Sequence, residues 1–217
     1  MREGDLHGRR VLEVGCGTGQ LAAALAERVA ARVWAVDSEP AMVDVAARRV
    51  PRGVGLEVAP AERLPFRAGA FERAVLRLVV HLVDRAQALS ELRRVLAPGG
   101  RTVIATFQPA HFDGVWLQPF FPSVGRIDRA RFPDPAVLEA ELCEAGFETA
   151  RTVGVTQHRR IGRQEALERI RGRHISTFDL LAEDEVVAGT ERAERELPET
   201  VEVRLDWAIV VAETEAA

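Results

Sequence analysis

Long apolar runs are missing from this chain. None approaches the roughly 18 consecutive apolar residues that a membrane-spanning helix requires, so the sequence does not read as a membrane protein. Cysteine is nearly absent. Cys16 and Cys143 are too few for a disulfide framework or a cysteine-rich zinc site, and a cytoplasmic, metal-free protein is expected. The polar opening residues lead into an apolar segment too short for a signal-peptide core, so no export signal is read. Lysine, asparagine and tyrosine do not occur at all. The 29 basic residues are therefore all arginine, set against 33 acidic ones for a net charge of −4. Arginine suits bidentate phosphate contacts, but here it alternates with Glu and Asp over residues 165–173 and 191–196, the mixture of a solvated helix face. Without a basic surplus, nucleic acid is not an expected partner.

What is present is a regular alternation. Short β-branched runs at residues 11–14, 32–36, 54–58, 74–80 and 102–106 are separated by helical patterns at 20–31, 40–50 and 86–96. Strands alternating with helices of this length predict a parallel sheet covered on both faces, because right-handed crossovers put helices there. The expected fold is therefore α/β and doubly wound, with ligands outside the carboxyl ends of the strands near the switch point. After Phe107 the regularity stops. Six of the twelve aromatics, nine Phe plus three Trp, fall between Phe107 and Phe132. A segment this long without a repeating pattern is expected to be a functional loop. A helix at 135–145, a strand at 148–156, two charged helices within 161–197 and a long final strand at 201–212 complete the reading, with no internal repeat.

The residues that carry chemistry begin at Val11-Leu12-Glu13-Val14-Gly15-Cys16-Gly17-Thr18-Gly19-Gln20, a buried strand entering a glycine-rich turn that opens a helix. Glycines there allow positive φ and close approach of a ligand to the backbone. Dinucleotide folds want G-x-G-x-x-G; here Gln20 stands where the third glycine belongs, which disfavours NAD. Asp37 ends the second strand about 20 positions further on, where a carboxylate can accept from ribose hydroxyls.

E-V-G-C-G-T-G followed by A-V-D-S-E-P-A-M resembles the class I S-adenosylmethionine-dependent methyltransferases. Ala61-Glu62-Arg63-Leu64-Pro65-Phe66, the segment Phe71 to Asp84 and Leu92 to Arg101 extend the likeness over residues 9–106. The resemblance implies a seven-stranded, mostly parallel sheet with an antiparallel last strand in a single domain. It implies that the loop Gly15, Cys16, Gly17 and Gly19 meets the methionine part of S-adenosylmethionine, and that Glu13 organises its ammonium. It implies further that Asp37, with Ser38 beside it, holds the ribose, that Met42 packs on the adenine, that Ala61 meets the adenine edge, and that Leu78 offers a carbonyl to the ammonium. The family often has Asp before the Ala-Glu pair. Pro60 stands there instead, with neither carboxylate nor N–H, which leaves adenine to Ala61, Glu62 or water.

Methyl transfer from a sulfonium needs alignment and exclusion of water, and a base only where the acceptor must lose a proton. His81, following the fourth strand, is the candidate base; His111 and His174 compete with it. The segment Arg77-Leu78-Val79-Val80-His81 lacks the motif of nucleic-acid amino methyltransferases, paired acids for a protein-arginine acceptor, and carboxylates for a magnesium-held catechol. A small, partly apolar molecule accepting at oxygen or nitrogen is expected, with carbon open, on a monomer or homodimer. The aromatic segment 107–133 is expected to cover the substrate because ligand sites are mostly apolar, and the helical insertion 157–200 because so few residues precede the first strand. The alternative is a non-catalytic S-adenosylmethionine-binding module or regulator.

Overall fold

A computed structural model describes residues 5–216. In chain order its elements are β1 (Arg10–Val14), α1 (Gln20–Arg28), β2 (Arg32–Asp37), α2 (Pro40–Ala47), β3 (Gly55–Val58), β4 (Phe71–Arg77), α3 (Arg85–Val95), β5 (Leu96–Phe107), α4 (Ser123–Arg131), α5 (Pro135–Glu144), β6 (Thr149–Gly162), α6 (Arg163–Arg171), α7 (Glu183–Glu196) and β7 (Thr200–Glu213). Two compact units result. The first holds the chain up to Thr106, Pro133–Val153 and the stretch from Ala208; the second holds Phe107–Phe132 and Gly154–Trp207.

The sheet order is β3-β2-β1-β4-β5-β7-β6. β1 pairs in parallel with both β2 and β4, β2 with β3, and β4 with β5; the last strands are antiparallel. The order reverses between β1 and β4, which makes the crevice at their carboxyl ends the switch point.

Strand alternation divides the core of the first unit into two layers. Leu12, Val14, Ala74 and Leu76 pack with Leu89 and Leu92 of α3 and Leu138 and Leu142 of α5. Val11, Val33, Ala35 and Val75 point the other way, onto Ala22 and Leu25 of α1 and Ala46 of α2. Each fully buried Leu or Val contributes about 1.5–3 kcal/mol, so β1 is anchored from both faces. Helix ends follow local chemistry. The Asp84 carboxylate accepts from Gln87 N–H at 3.1 Å and Asp134 from Ala136 N–H at 2.8 Å. α5 stops in a Schellman motif: Gly146, at φ +91°, donates to Cys143 O and Phe147 to Leu142 O.

Two sequence expectations change. The helical pattern at 86–96 and the strand run at 102–106 leave Pro98-Gly99-Gly100 between them, whereas β5 begins at Leu96 and runs through it. Gly99 N–H donates to Glu215 O and Thr214 N–H to Gly100 O, and this ladder holds the segment extended. The aromatic segment expected as a loop contains a 3-10 turn at Pro109–Asp113 and the helix α4. In the second unit Phe121 and Val124 pack with Ile170 of α6, Phe178, Val186 and Ala193 of α7, and Val203 of β7.

Candidate functional site: a crevice at the switch point

The crevice lies within the first unit and measures about 420 Å³. β1 delivers Glu13 to its floor. The chain then turns through Gly15, Gly17 and Gly19, at φ +72°, +51° and +75°. The Gly15 and Cys16 N–H groups both donate to Val36 O at 2.9 Å, and Gly17 N–H donates to Asp37 Oδ2 at 2.7 Å. The turn is thus stitched to the end of β2. Arg49 of α2 adds a clamp, donating to the carbonyl and hydroxyl of Thr18.

The three glycines differ. A Cβ on Gly15 would sit inside the envelope of the Val79 side chain, and one on Gly19 would stand 2.9 Å from Ala46 Cβ; both serve close packing. A Cβ on Gly17 would meet nothing within 4 Å. Its bare backbone therefore faces open crevice.

Glu13 is the outlying group. It is 2% exposed, and its Oε2 has no hydrogen-bond partner among the described residues. Burial pushes its carboxyl up from 4.5 to about 8, against the pull of the Arg77 charge and the Ala22 backbone N–H. The same crevice pushes the Cys16 thiol up to about 12, first by burial and then by the nearby Glu13 and Asp37 carboxylates, which makes it a packing group rather than a nucleophile. Asp37 spends Oδ2 on Gly17 and Oδ1 on Glu39 N–H, one bond to each oxygen. Leu78 carries φ +57°, an unusual conformation for a leucine, and its N–H donates to Ala105 O.

Of the residues singled out from the sequence, Glu13, Gly15, Cys16, Gly17, Asp37, Ser38, Met42, Ala61 and Leu78 line the crevice together. Gly19, Glu62 and His81 do not line it. Gly19 forms the left-handed N-terminus of α1, and the Glu62 carboxylate accepts from Asp84 N–H at the start of α3. His81 sits part-buried on the turn after β4. His111 and His174 belong to the second unit. Sequence reasoning missed Arg77. It closes β4, lines the crevice, and makes no ion pair or hydrogen bond with any other described residue. The signal available was a charged residue ending an otherwise apolar run, Ala74-Val75-Leu76-Arg77.

A family model for the methyltransferase domain matches residues 12–104. The demethylmenaquinone methyltransferase of Thermus thermophilus is 35% identical over 164 residues, which are 64% of this chain and 74% of that protein. The chain belongs to the class I S-adenosylmethionine-dependent methyltransferases. This methyltransferase accordingly uses S-adenosylmethionine as its methyl donor. Against a malonyl-[acyl-carrier protein] O-methyltransferase of Halorhodospira halophila it is 37% identical over 150 residues, 65% of this chain and 49% of that one. It also spans only about half of such longer relatives. Among solved structures, a protein of Anabaena variabilis assigned as a methyltransferase from an antibiotic biosynthesis pathway has a TM-score of 0.80 at 20% identity, covering 97% of this chain and 93% of its own. That likeness shows the fold. Among the described residues no cluster of His, Cys, Asp or Glu is grouped to hold a metal ion, and no helix is long and apolar enough to cross a membrane.

Proposed function

We propose that the methyltransferase moves the methyl group to a small, partly apolar acceptor at oxygen or nitrogen, with the donor held in the crevice of the first unit. The observation that carries this reading is the buried Glu13 oxygen left without a partner at the foot of a bare glycine turn. An unpaired buried carboxyl is costly unless a cation meets it. The ammonium of an amino acid is such a cation.

Bound S-adenosylmethionine supplies a methyl group already activated on a sulfonium. The chain then has to bind, orient and exclude water. Glu13 and the Leu78 carbonyl receive the ammonium, and Arg77, whose charge acts on Glu13 but which makes no ion pair with another described residue, receives the amino-acid carboxylate. Each Asp37 oxygen makes one bond among the described residues and keeps a lone pair for a ribose hydroxyl. Met42, 37% exposed at the crevice, covers the adenine, while Ala61 meets its edge without help from Pro60. His81 does not line the crevice. Alignment and desolvation therefore carry the transfer, with His81 at most an indirect contributor. The acceptor of the Thermus thermophilus relative, demethylmenaquinone by its name, supports a small and largely apolar molecule.

Titration calorimetry with S-adenosylhomocysteine tests the donor site, and labelled S-adenosylmethionine incubated with a fractionated cell extract tests the acceptor. Saturable one-to-one binding and label in a small organic product are expected. Label confined to protein or nucleic acid would overturn the acceptor class.

A further inference from the structure

The second unit contains a cavity of its own, about 110 Å³, that the donor site does not use. Its walls are mostly apolar, with Phe107, Trp116, Ile161 and Val203 among them. An apolar cavity of about 150 Å³ holds benzene; this one is smaller, so it takes no more than a single ring, leaves the ring's substituents at its mouth, and excludes a fused or long-chain molecule. Three arginines also line it, and their partners differ. Arg169 pairs with Glu165 at 2.7 Å, and Arg204 pairs with Asp206 at 2.9 Å. Arg159 makes no ion pair or hydrogen bond with any other described residue. It lies two residues before Ile161 on β6, and Ile161 is buried in the core of this unit. Strand alternation puts Arg159 on the same side of β6 as Ile161, and its exposed side chain stands at the rim of the cavity. The cavity's buried acid, Asp128, is already held by the Thr177 hydroxyl and the Arg131 guanidinium. One positive charge is left over.

The two histidines that line the cavity are in opposite tautomers. Asp206 N–H donates to His111 Nδ1 at 3.4 Å, which leaves the proton on Nε2 and makes that nitrogen a donor. Burial holds His111 down to about 4, so its ring is neutral at neutral pH. His174 Nδ1 lies 3.0 Å from the Arg169 carbonyl, which can only accept; Nδ1 therefore donates and Nε2 is an acceptor. The cavity offers apolar walls, one unpaired guanidinium, one imidazole donor and one imidazole acceptor.

We propose that this cavity binds a single-ring organic anion, its ring against Trp116 and Phe107, its carboxylate on Arg159, and a ring hydroxyl, where present, on Nε2 of His174. This site goes beyond the methyltransferase reading: it is a ligand site within the second unit, separate from the donor crevice. An Arg–carboxylate contact is charge-assisted and can be bidentate, so most of the discrimination between charged and neutral rings falls on one residue.

The test uses the full chain, with Trp116 as reporter and benzoate, 4-hydroxybenzoate and benzyl alcohol as probes. Saturable quenching by both acids is expected, at least tenfold tighter than by the alcohol and lost as a signal in Trp116→Phe. Arg159→Gln is expected to weaken benzoate about tenfold and leave benzyl alcohol unchanged. Equal affinity for acid and alcohol, or benzoate binding indifferent to Arg159→Gln, overturns the proposal. S-adenosylhomocysteine binding to the same preparations separates the two readings. If it binds while the ring acids do not, the cavity proposal fails and the donor site stands. If the ring acids bind while S-adenosylhomocysteine does not, the methyl-donor reading fails and the cavity proposal survives as a binding site.

Discussion

Replacing Glu13 by Gln isolates the one buried charge on which the donor site depends. A carboxyl pushed from 4.5 to about 8 by burial keeps its proton in the folded state over a range where the unfolded chain has released it. Stability therefore falls as pH rises through that window: the penalty is absent below 4.5 and complete above about 8. At about 1.4 kcal/mol per pH unit, it comes to about 5 kcal/mol at high pH and about 3 kcal/mol at neutral pH. Glutamine has the same outline and no charge to desolvate. Glu13→Gln is expected to unfold at higher urea than the parent at about pH 9, by several kcal/mol, and to match it at about pH 5. The same substitution is expected to weaken S-adenosylhomocysteine binding, because the ammonium loses its counter-charge. Binding to the parent draws the carboxylate out of its protonated form, so at neutral pH about 0.9 proton is released per ligand, read as a dependence of calorimetric heat on buffer ionisation enthalpy. A stability difference that stays flat with pH, together with heats that do not depend on buffer, would refute the assignment of Glu13 as the ammonium's partner.

Arg77→Met is expected to weaken S-adenosylhomocysteine about tenfold by calorimetry and to leave 5′-methylthioadenosine, which lacks the amino-acid tail, unchanged; equal losses for both ligands would remove Arg77 from carboxylate binding. Gly17→Ala puts a side chain at φ +51° and costs about 1–2 kcal/mol of stability in urea melts. Its Cβ projects into open crevice, so the loss in ligand affinity should exceed the loss in stability. Gly189→Ala drives a methyl group into the Phe121 ring and toward the Phe120 carbonyl, and is expected to destabilise the fold by about 1–3 kcal/mol by overpacking. Leu142→Ala, on α5 at a side chain buried in the cluster with Leu89 and Leu92 of α3, is expected to cost about 2–5 kcal/mol and to leave donor affinity per folded molecule unchanged.

The first hundred residues were legible because their information is local. β1 alternates Val11 and Leu12 toward opposite layers, Gly15 and Gly17 need positive φ, and Asp37 sits at the carboxyl end of the neighbouring strand; each constraint is written within a few residues of the position it governs. The segment after Phe107 is different. α4 reads Ser-Val-Gly-Arg-Ile-Asp-Arg-Ala-Arg, and its buried face is Val124, Gly125 and Asp128. An aspartate stands where helical periodicity asks for an apolar residue. What permits it is the Thr177 hydroxyl, 49 positions away in sequence, together with Arg131 one turn on. The helix is therefore stabilised by a contact that no window of sequence contains, and a reading based on apolar spacing sees only a loop. Arg77 and Arg159 escaped for a related reason. Among 29 arginines in a chain with 33 acidic residues, an arginine that makes no ion pair looks like any other until its neighbours in space are known. What distinguishes the two is the lack of an ion pair or hydrogen bond with any other described residue combined with a place in a cavity wall, and that is a property of the tertiary structure alone.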